Sequence, residues 1–287
     1  MSYQIIMDVS GDVRPEFAEE KGIGFIPMEY SIGDEMRTCA GMEGAEILKK
    51  FYDGQRGGDL TKTSQISPYM YEEFFSPIFE AGDSVLYLCL SGGLSSTFQS
   101  SNVAKAALEE KYPGCKLYPV DTLAATGGMG VLAERAVRNR EAGMSLEENY
   151  ADLVEAAHHI RHWFFVQDLM YLKRGGRVSA ATAVVGTMLN VKPILKIDEV
   201  GKLVTFDKKR GNKAAGKALL DLFKESYDAA AGDVIYVIDA DAPDQGAYLA
   251  AEVEKAAPGA TVRRMTLSPI IGAHTGPGMA AICHMGK

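Results

Sequence analysis

Ser84-Val-Leu-Tyr-Leu-Cys-Leu-Ser-Gly-Gly-Leu-Ser-Ser-Thr97 is the stretch on which the reading of the fold turns. Ser84 to Leu90 is an apolar run of strand-favouring residues, short enough to be a single strand. It does not alternate with polar residues, so both of its faces are covered, as in a parallel sheet with helices on either side. A Gly-Gly turn follows. Hydroxyl residues then open a helix expected to carry Val103, Ala106, Ala107 and Leu108. A strand leading through a tight turn into a helix is the building unit of an α/β protein.

The rhythm repeats outward from that unit. Gln4 to Met7, Phe25 to Ser31 and Leu117 to Val120 read as further strands. Ser67-Pro68 is an N-cap followed by proline at the first helical position, and it predicts a helix through Tyr71, Phe74, Phe75 and Phe79. Ser145-Leu-Glu-Glu148 is a capping box for a helix running to about Arg161. That helix marks the expected boundary between two domains, residues 1–157 and 158–287. Beyond it, Trp163 to Gln167 reads as a strand, Lys173-Arg-Gly-Gly-Arg177 as a basic loop and Glu199-Val-Gly201 as a hairpin turn. Asp233 to Asp241 reads as a strand, Asp241-Ala-Pro-Asp244 caps the helix after it, and that helix ends near Pro258-Gly259. Thr261 to Leu267 and Met279 to His284 close a second sheet. The expectation is an α/β chain. Its N-terminal domain has a mainly parallel sheet flanked by helices, and its C-terminal α/β domain has a more antiparallel, mixed sheet.

Composition narrows the function. With 287 residues, 47% of them hydrophobic and 24% charged, the chain is of ordinary globular type and long enough for two cores with a cleft between them. Thirty Lys and Arg against 38 Asp and Glu give a net charge of −8, and no basic block could neutralise a run of phosphates, which argues against a nucleic-acid partner. The four cysteines have no ligand-like spacing, so neither a zinc site nor a disulfide framework is expected. No signal-peptide core and no apolar run of membrane-spanning length is present, so a cytoplasmic protein is expected.

Four turns could carry chemistry. Ser95, Ser96 and Thr97 place hydroxyls and helix-start amides where an anion is favoured. Thr63 and Ser64 lie too far before the Ser67 cap to serve it, which leaves their hydroxyls for another role. His274 sits in the Gly- and Pro-rich stretch Pro269–Gly278, expected to be a rigid loop. Lys173-Arg-Gly-Gly-Arg177 could hold a phosphate or salt-bridge across the two halves. No nucleotide-binding glycine pattern is present, and no metal is expected. His158 and His162 would share a helix face at i, i+4, but no third ligand is evident and imidazoles suit the dipole at a helix end. Gly93-Leu-Ser95-Ser-Thr97 comes within one residue of a nucleophile elbow. The alternative reading is therefore a serine hydrolase or acyltransferase with Ser95 as nucleophile, His274 as base and Asp121 or Asp241 orienting it.

Seven motifs stand in chain order: Asp8-x-Ser-x-Asp12, Thr63-Ser-Gln-x-Ser67, Ser91-Gly-Gly-Leu-Ser-Ser-Thr-x-Gln-Ser100, Val120-Asp-Thr122, Tyr171-Leu-Lys-x-Gly-Gly-Arg-Val-Ser179, Leu189-Asn-Val-Lys-Pro-Ile-Leu195 and His274-Thr-Gly-Pro-Gly278. Together, over essentially the whole chain, they resemble the DegV family. The resemblance implies a bacterial two-domain protein that binds a long-chain fatty acid, such as palmitate, stearate or oleate, between its domains. It implies no cofactor and no catalysis by the chain alone. The partner is an ATP-dependent fatty acid kinase subunit, to which the carboxylate is presented for acyl-phosphate formation, and the resemblance admits transient membrane contact. By position, Thr63 and Ser95 are implied to hold the carboxylate and His274 to support them. Arg177 is implied to stand at the same end or face the kinase, with Ser96 beside it. Burying about 14 methylenes at ~0.8 kcal/mol each contributes roughly 11 kcal/mol before the costs of association. The head group is the harder part, because a desolvated carboxylate takes up a proton unless donors compensate.

Overall fold

The computed structural model describes residues 3–179 and 190–287; Leu189, the first residue of one quoted motif, lies outside them. β1 (Tyr3–Asp8), β2 (Ile23–Ile26), β6 (Ser84–Cys89) and β7 (Leu117–Asp121) form a four-stranded, fully parallel sheet in the order β2-β1-β6-β7. Every residue of β6 is buried, as its unbroken apolar run requires. β3 (Met28–Ile32), β4 (Glu35–Cys39) and β5 (Thr61–Thr63) form a small antiparallel sheet, and the expected strand Phe25 to Ser31 is thereby divided between two sheets. The division falls at Pro27, which has no N–H to continue a ladder.

The second large sheet contains β8 (Ile160–Phe165), β9 (Val191–Ile197), β10 (Leu203–Arg210), β11 (Val234–Asp239), β12 (Thr261–Thr266) and β13 (Ala280–Met285), in the order β10-β9-β8-β13-β11-β12. Its pairings are antiparallel except for β11 with β12, so it is mixed. Successive residues point to opposite faces. Phe164, Tyr236 and Ala281 face the parallel sheet, whereas Phe165, Val237 and Ile282 join a separate core. That second core is completed by Leu219 and Phe223 of α8 (Asn212–Ser226) and Leu249 and Val253 of α9 (Pro243–Ala256).

Between the two large sheets runs α5 (Thr126–Glu141), buried on every side through its first three turns. A helix apolar all round belongs in a protein interior. Its glycines let flanking groups come close: a Cβ on Gly127 would stand 2.5 Å from Cβ of Tyr236, and one on Gly130 would stand 2.5 Å from the Asp12 carbonyl oxygen. One continuous core therefore runs from Ile5 and Leu86 through Met129 and Leu132 to Phe164 and Tyr236.

The remaining helices among the described residues are α1 (Pro15–Lys21), α2 (Ala45–Gly57), α3 (Pro68–Glu80), α4 (Thr97–Lys111), α6 (Leu146–Ala157), α7 (Met170–Arg174) and α10 (Pro269–Thr275). The Ser145 capping box is present, with both reciprocal hydrogen bonds. The helix it opens ends at Ala157 and not near Arg161, because Ile160–Phe165 is taken into the mixed sheet and pairs on both sides. α4 buries Ser100, Ser101, Ala104 and Leu108, and the expected core residue Val103 is 60% exposed. Among the described residues, no helix is long and apolar enough to cross a membrane.

Candidate functional site

A cavity of about 430 Å³ opens where the β6–α4 turn, at the C-terminal end of the parallel sheet, meets β5, α10 and the mixed sheet. Crevices at the carboxyl ends of parallel strands are the usual ligand sites of such folds, and this volume is typical of a small-molecule pocket. Leu90, Ala125, Phe164, Ile270, Met279 and Ala281 give it buried apolar walls, beside the buried Thr126 and His162. Thr63, Ser95, Ser96, Arg177 and His274 also line it. The structure thus brings all five predicted site residues to one cavity, drawn from both halves of the chain.

The local geometry ties these groups together. Thr63 is the last residue of β5, paired with Tyr30 of β3, so the stretch read as a loop begins as a strand. Its Oγ1 lies 2.7 Å from Nε2 of His274. His274 is in the last turn of α10 and not in a loop. Its imidazole is held neutral, with its pKa pushed down to about 4, first by burial and then by the nearby Arg177 charge. A Cβ on Gly175 would stand 2.3 Å from Nδ1 of His274, so this position must lack a side chain for the loop to close on the ring. Gly176, at φ +73°, supplies the left-handed turn that brings Arg177 back.

Arg177 reaches across the halves, as expected, but to a carbonyl and not to a carboxylate. Its Nε donates to Leu94 O at 3.2 Å and its guanidinium also bonds to Gly175 O. Burial pushes its pKa down from the arginine range, and among the described residues it forms no ion pair. The mouth therefore holds a half-buried positive charge without a protein counter-ion. Ser95 Oγ lies 2.7 Å from Oγ1 of Thr97 and accepts the Thr97 amide at 3.3 Å. Several amides of the turn are already used internally: Gly92 donates to Asp121 Oδ1 at 3.0 Å, Gly93 to Ser91 Oγ at 3.1 Å, and Leu94 and Ser95 to the Ser91 carbonyl. The expected convergence of free helix-start amides is correspondingly smaller, with Ser96, Phe98 and Gln99 offering the remaining first-turn donors.

Buried carboxylates hold this turn in place. Asp8, at the end of β1, accepts from the Leu90 amide at 2.8 Å, the Tyr87 hydroxyl at 3.0 Å and the Ser10 amide at 3.0 Å. Its complete burial pushes its pKa up against those bonds. Asp12 accepts from the Thr126 hydroxyl and from the Ser268 amide at 3.2 Å, and burial raises its pKa to about 7. Thr126, a β-branched residue at φ +47°, is held in the left-handed region by these contacts and lines the cavity. A strained residue of this kind is held by its surroundings and is characteristic of binding sites.

The hydrolase alternative requires a Ser95–His274–Asp relay, and among the described residues none is assembled. Ser95 bonds to Thr97 and His274 to Thr63. Asp121 accepts from the Gly92 and Leu123 amides, and Asp241 pairs with Arg56 at 2.5 Å. The proposed i, i+4 histidine pair is also absent: His158 caps α6, whereas His162 is within β8.

His162 is the cavity residue that sequence reasoning misplaced. It is 4% exposed and lines the cavity, and among the described residues its ring has no side-chain hydrogen-bond partner, its polar contact being with the Ala125 backbone. Burial brings its pKa down to about 4, so the ring is neutral. Assigning Ile160–Phe165 to a strand would have put His162 and Phe164 on one face. A tip-to-turn contact also went unread. The β9–β10 hairpin supplies Ile197 and Leu203 to the cavity, and its tip accepts a 2.8 Å hydrogen bond from Ser91 Oγ at the Gly201 carbonyl.

Comparison with known proteins agrees with the fold. Residues 2–287 match the model of an uncharacterised protein family, the DegV family. The chain is 35% identical to the DegV domain-containing protein YteA of Lactococcus lactis over 286 residues, covering 98% of this chain and 97% of the relative. It superposes with a TM-score of 0.86 on a DegV family protein from Thermus thermophilus described for fatty acid binding, at 29% identity and full coverage of both chains. DegV from Bacillus subtilis, described as a fatty acid binding protein, gives 0.83 at 29% identity, again over both whole chains.

Proposed function

Because this chain belongs to the DegV family, we propose that it binds a long-chain fatty acid such as palmitate, stearate or oleate and presents the carboxylate to a separate ATP-dependent kinase subunit. The acyl chain occupies the apolar interior of the cavity, between residues 1–157 and 158–287. Thr63 and Ser95 hold the carboxylate, and His274 orients Thr63. Arg177 and Ser96 stand at the mouth, supporting the head group or facing the partner. The observation that carries this reading is the polarity of the cavity. Buried apolar side chains form much of its wall, and at its mouth it gathers the hydroxyls of Thr63, Ser95 and Ser96, a neutral imidazole bonded to Thr63 and a guanidinium without a counter-ion among the described residues. An amphipathic anion satisfies both ends at once. The local positive charge also overcomes the repulsion expected from a net charge of −8.

The chain's own part is to bind, shield and orient. His274, held neutral by burial and by the nearby Arg177, orients the Thr63 hydroxyl through their hydrogen bond. When the partner's ATP is brought up, a carboxylate oxygen forms the bond to the γ-phosphorus and ADP leaves, a step that requires no nucleophile or base from this cytoplasmic carrier.

Mass spectrometry of lipid extracted from protein purified out of a bacterial host is expected to show long-chain fatty acid. Protein that is lipid-free and also fails to bind a fluorescent fatty acid at micromolar concentration would overturn the assignment. Omitting the protein from a kinase reaction is expected to abolish acyl-phosphate formation. Unchanged formation would refute the carrier role and leave binding alone.

A further inference from the structure

A second recess, of about 620 Å³, opens beside β8 and β9; Leu123, Trp163 and Val200 border it together with the charged Arg161, Lys196, Asp198 and Glu199. Two residues line both spaces, His162 and Ile197. The direction of the cavity follows from β13. Met279 leads out of the α10 region that carries His274, while Cys283 pairs with His162. Met279, Ala281 and Cys283 all line the cavity. From Met279 to Cys283 is four residues, or about 13 Å at the strand rise, so His162 lies at the end remote from the head group. The Nε2 edge of its ring abuts α5, where a Cβ on Gly128 would fall 2.0 Å from that nitrogen, and its polar contact is with the Ala125 backbone. Ile197 stands beside it at the end of β9 and is half-buried.

We propose that His162 and Ile197 form the end wall of the acyl chamber, between it and the charged recess, and set the longest chain the protein accepts. This rests on the fatty-acid reading. A neutral ring at that end limits the chamber by its volume. Trimming it lengthens the chamber by the space the ring filled, and each further methylene held there out of water strengthens binding about fourfold.

The test is a series of saturated fatty acids of increasing length, titrated into the parent, His162→Ala, His162→Leu and Ile197→Ala. In the parent, affinity should rise with length and then fall at a cutoff. His162→Ala and Ile197→Ala should each move that cutoff to longer chains, with at least about tenfold tighter binding of the first chain the parent rejects, the gain for roughly two methylenes. His162→Leu, which restores bulk, should keep the parental cutoff. An unchanged cutoff in folded His162→Ala and Ile197→Ala overturns the end wall while leaving fatty-acid binding standing. A parent that binds no fatty acid of any length overturns the underlying reading instead. Should His162→Ala not fold, Ile197→Ala decides alone, since its side chain is half-exposed at a strand end.

Discussion

Thr63→Val isolates the head-group contact, because valine keeps the branched shape and removes one hydroxyl. That hydroxyl is 2.7 Å from Nε2 of His274 and lines the cavity mouth. Its loss deletes a donor to the carboxylate and leaves the His274 nitrogen unmatched in a mostly buried site. A hydrogen bond to a charged group contributes about 1.5–3 kcal/mol, so the dissociation constant for stearate should rise roughly ten- to 150-fold. The methyl ester of the same acid offers no carboxylate, so its affinity should fall by only about two- to tenfold, the scale of a neutral hydrogen bond. Displacement of a fluorescent fatty acid, read for acid and ester with parent and variant, gives all four constants. The reasoning is refuted if Thr63→Val holds the acid as tightly as the parent, or if acid and ester weaken equally. The second result would mean that the cavity, and not the head-group contact, had been damaged.

Asp12 has a folded pKa of about 7, above its unfolded 3.8, so its stabilisation is complete below about 3.8 and is lost as the pH rises through 7. Asp12→Asn removes that loss, and denaturant unfolding should show its advantage over the parent growing with pH towards ~4 kcal/mol; a difference independent of pH would contradict the burial argument. His162, His274 and His284 are each neutral down to about pH 4, so their contribution is intact above about 6.5 and falls as the pH drops towards 4. Replacing His284 by Phe should make unfolding less acid-sensitive in that window, and an unchanged pH slope would exclude it as a contributor. Gly93→Ala puts a Cβ 2.6 Å from the Gly201 carbonyl, so the hairpin tip must withdraw. Hydrogen exchange at residues 198–202 and release of bound fatty acid should both quicken, and protection equal to the parent would show that the tip does not rest on this turn.

Much of the framework was legible because local chemistry and tertiary role agree there. β6 reads as buried on both faces and is so, the Ser145 box caps α6, and the turn at Glu199-Val-Gly201 joins β9 to β10. α5 gave no such signal. Thr126-Gly-Gly-Met-Gly130 has poor helix propensity, and the helix exists because two sheets need a backbone slim enough to pass between them. His162 was misplaced because His158 and His162 match a helical spacing, while β13 and β9 on either side of it settle the strand. The polar end of the site was visible as turns rich in Ser, Thr, Gly and His. The Thr63–His274 contact joins residues 211 apart in sequence, and no spacing rule reaches so far.

The buried passage of α5 between the sheets limits how the molecule can take in a guest. Pulling the two sheets apart in the manner of a jaw would strip both sides of a helix whose glycines have no side chains to shield it, exposing the middle of a continuous core. On the fatty-acid reading a guest would instead be threaded, through small displacements at the rim such as the hairpin tip bonded to Ser91. Loading and unloading would then be governed by a few side chains at the mouth, while the body of the protein keeps its shape throughout.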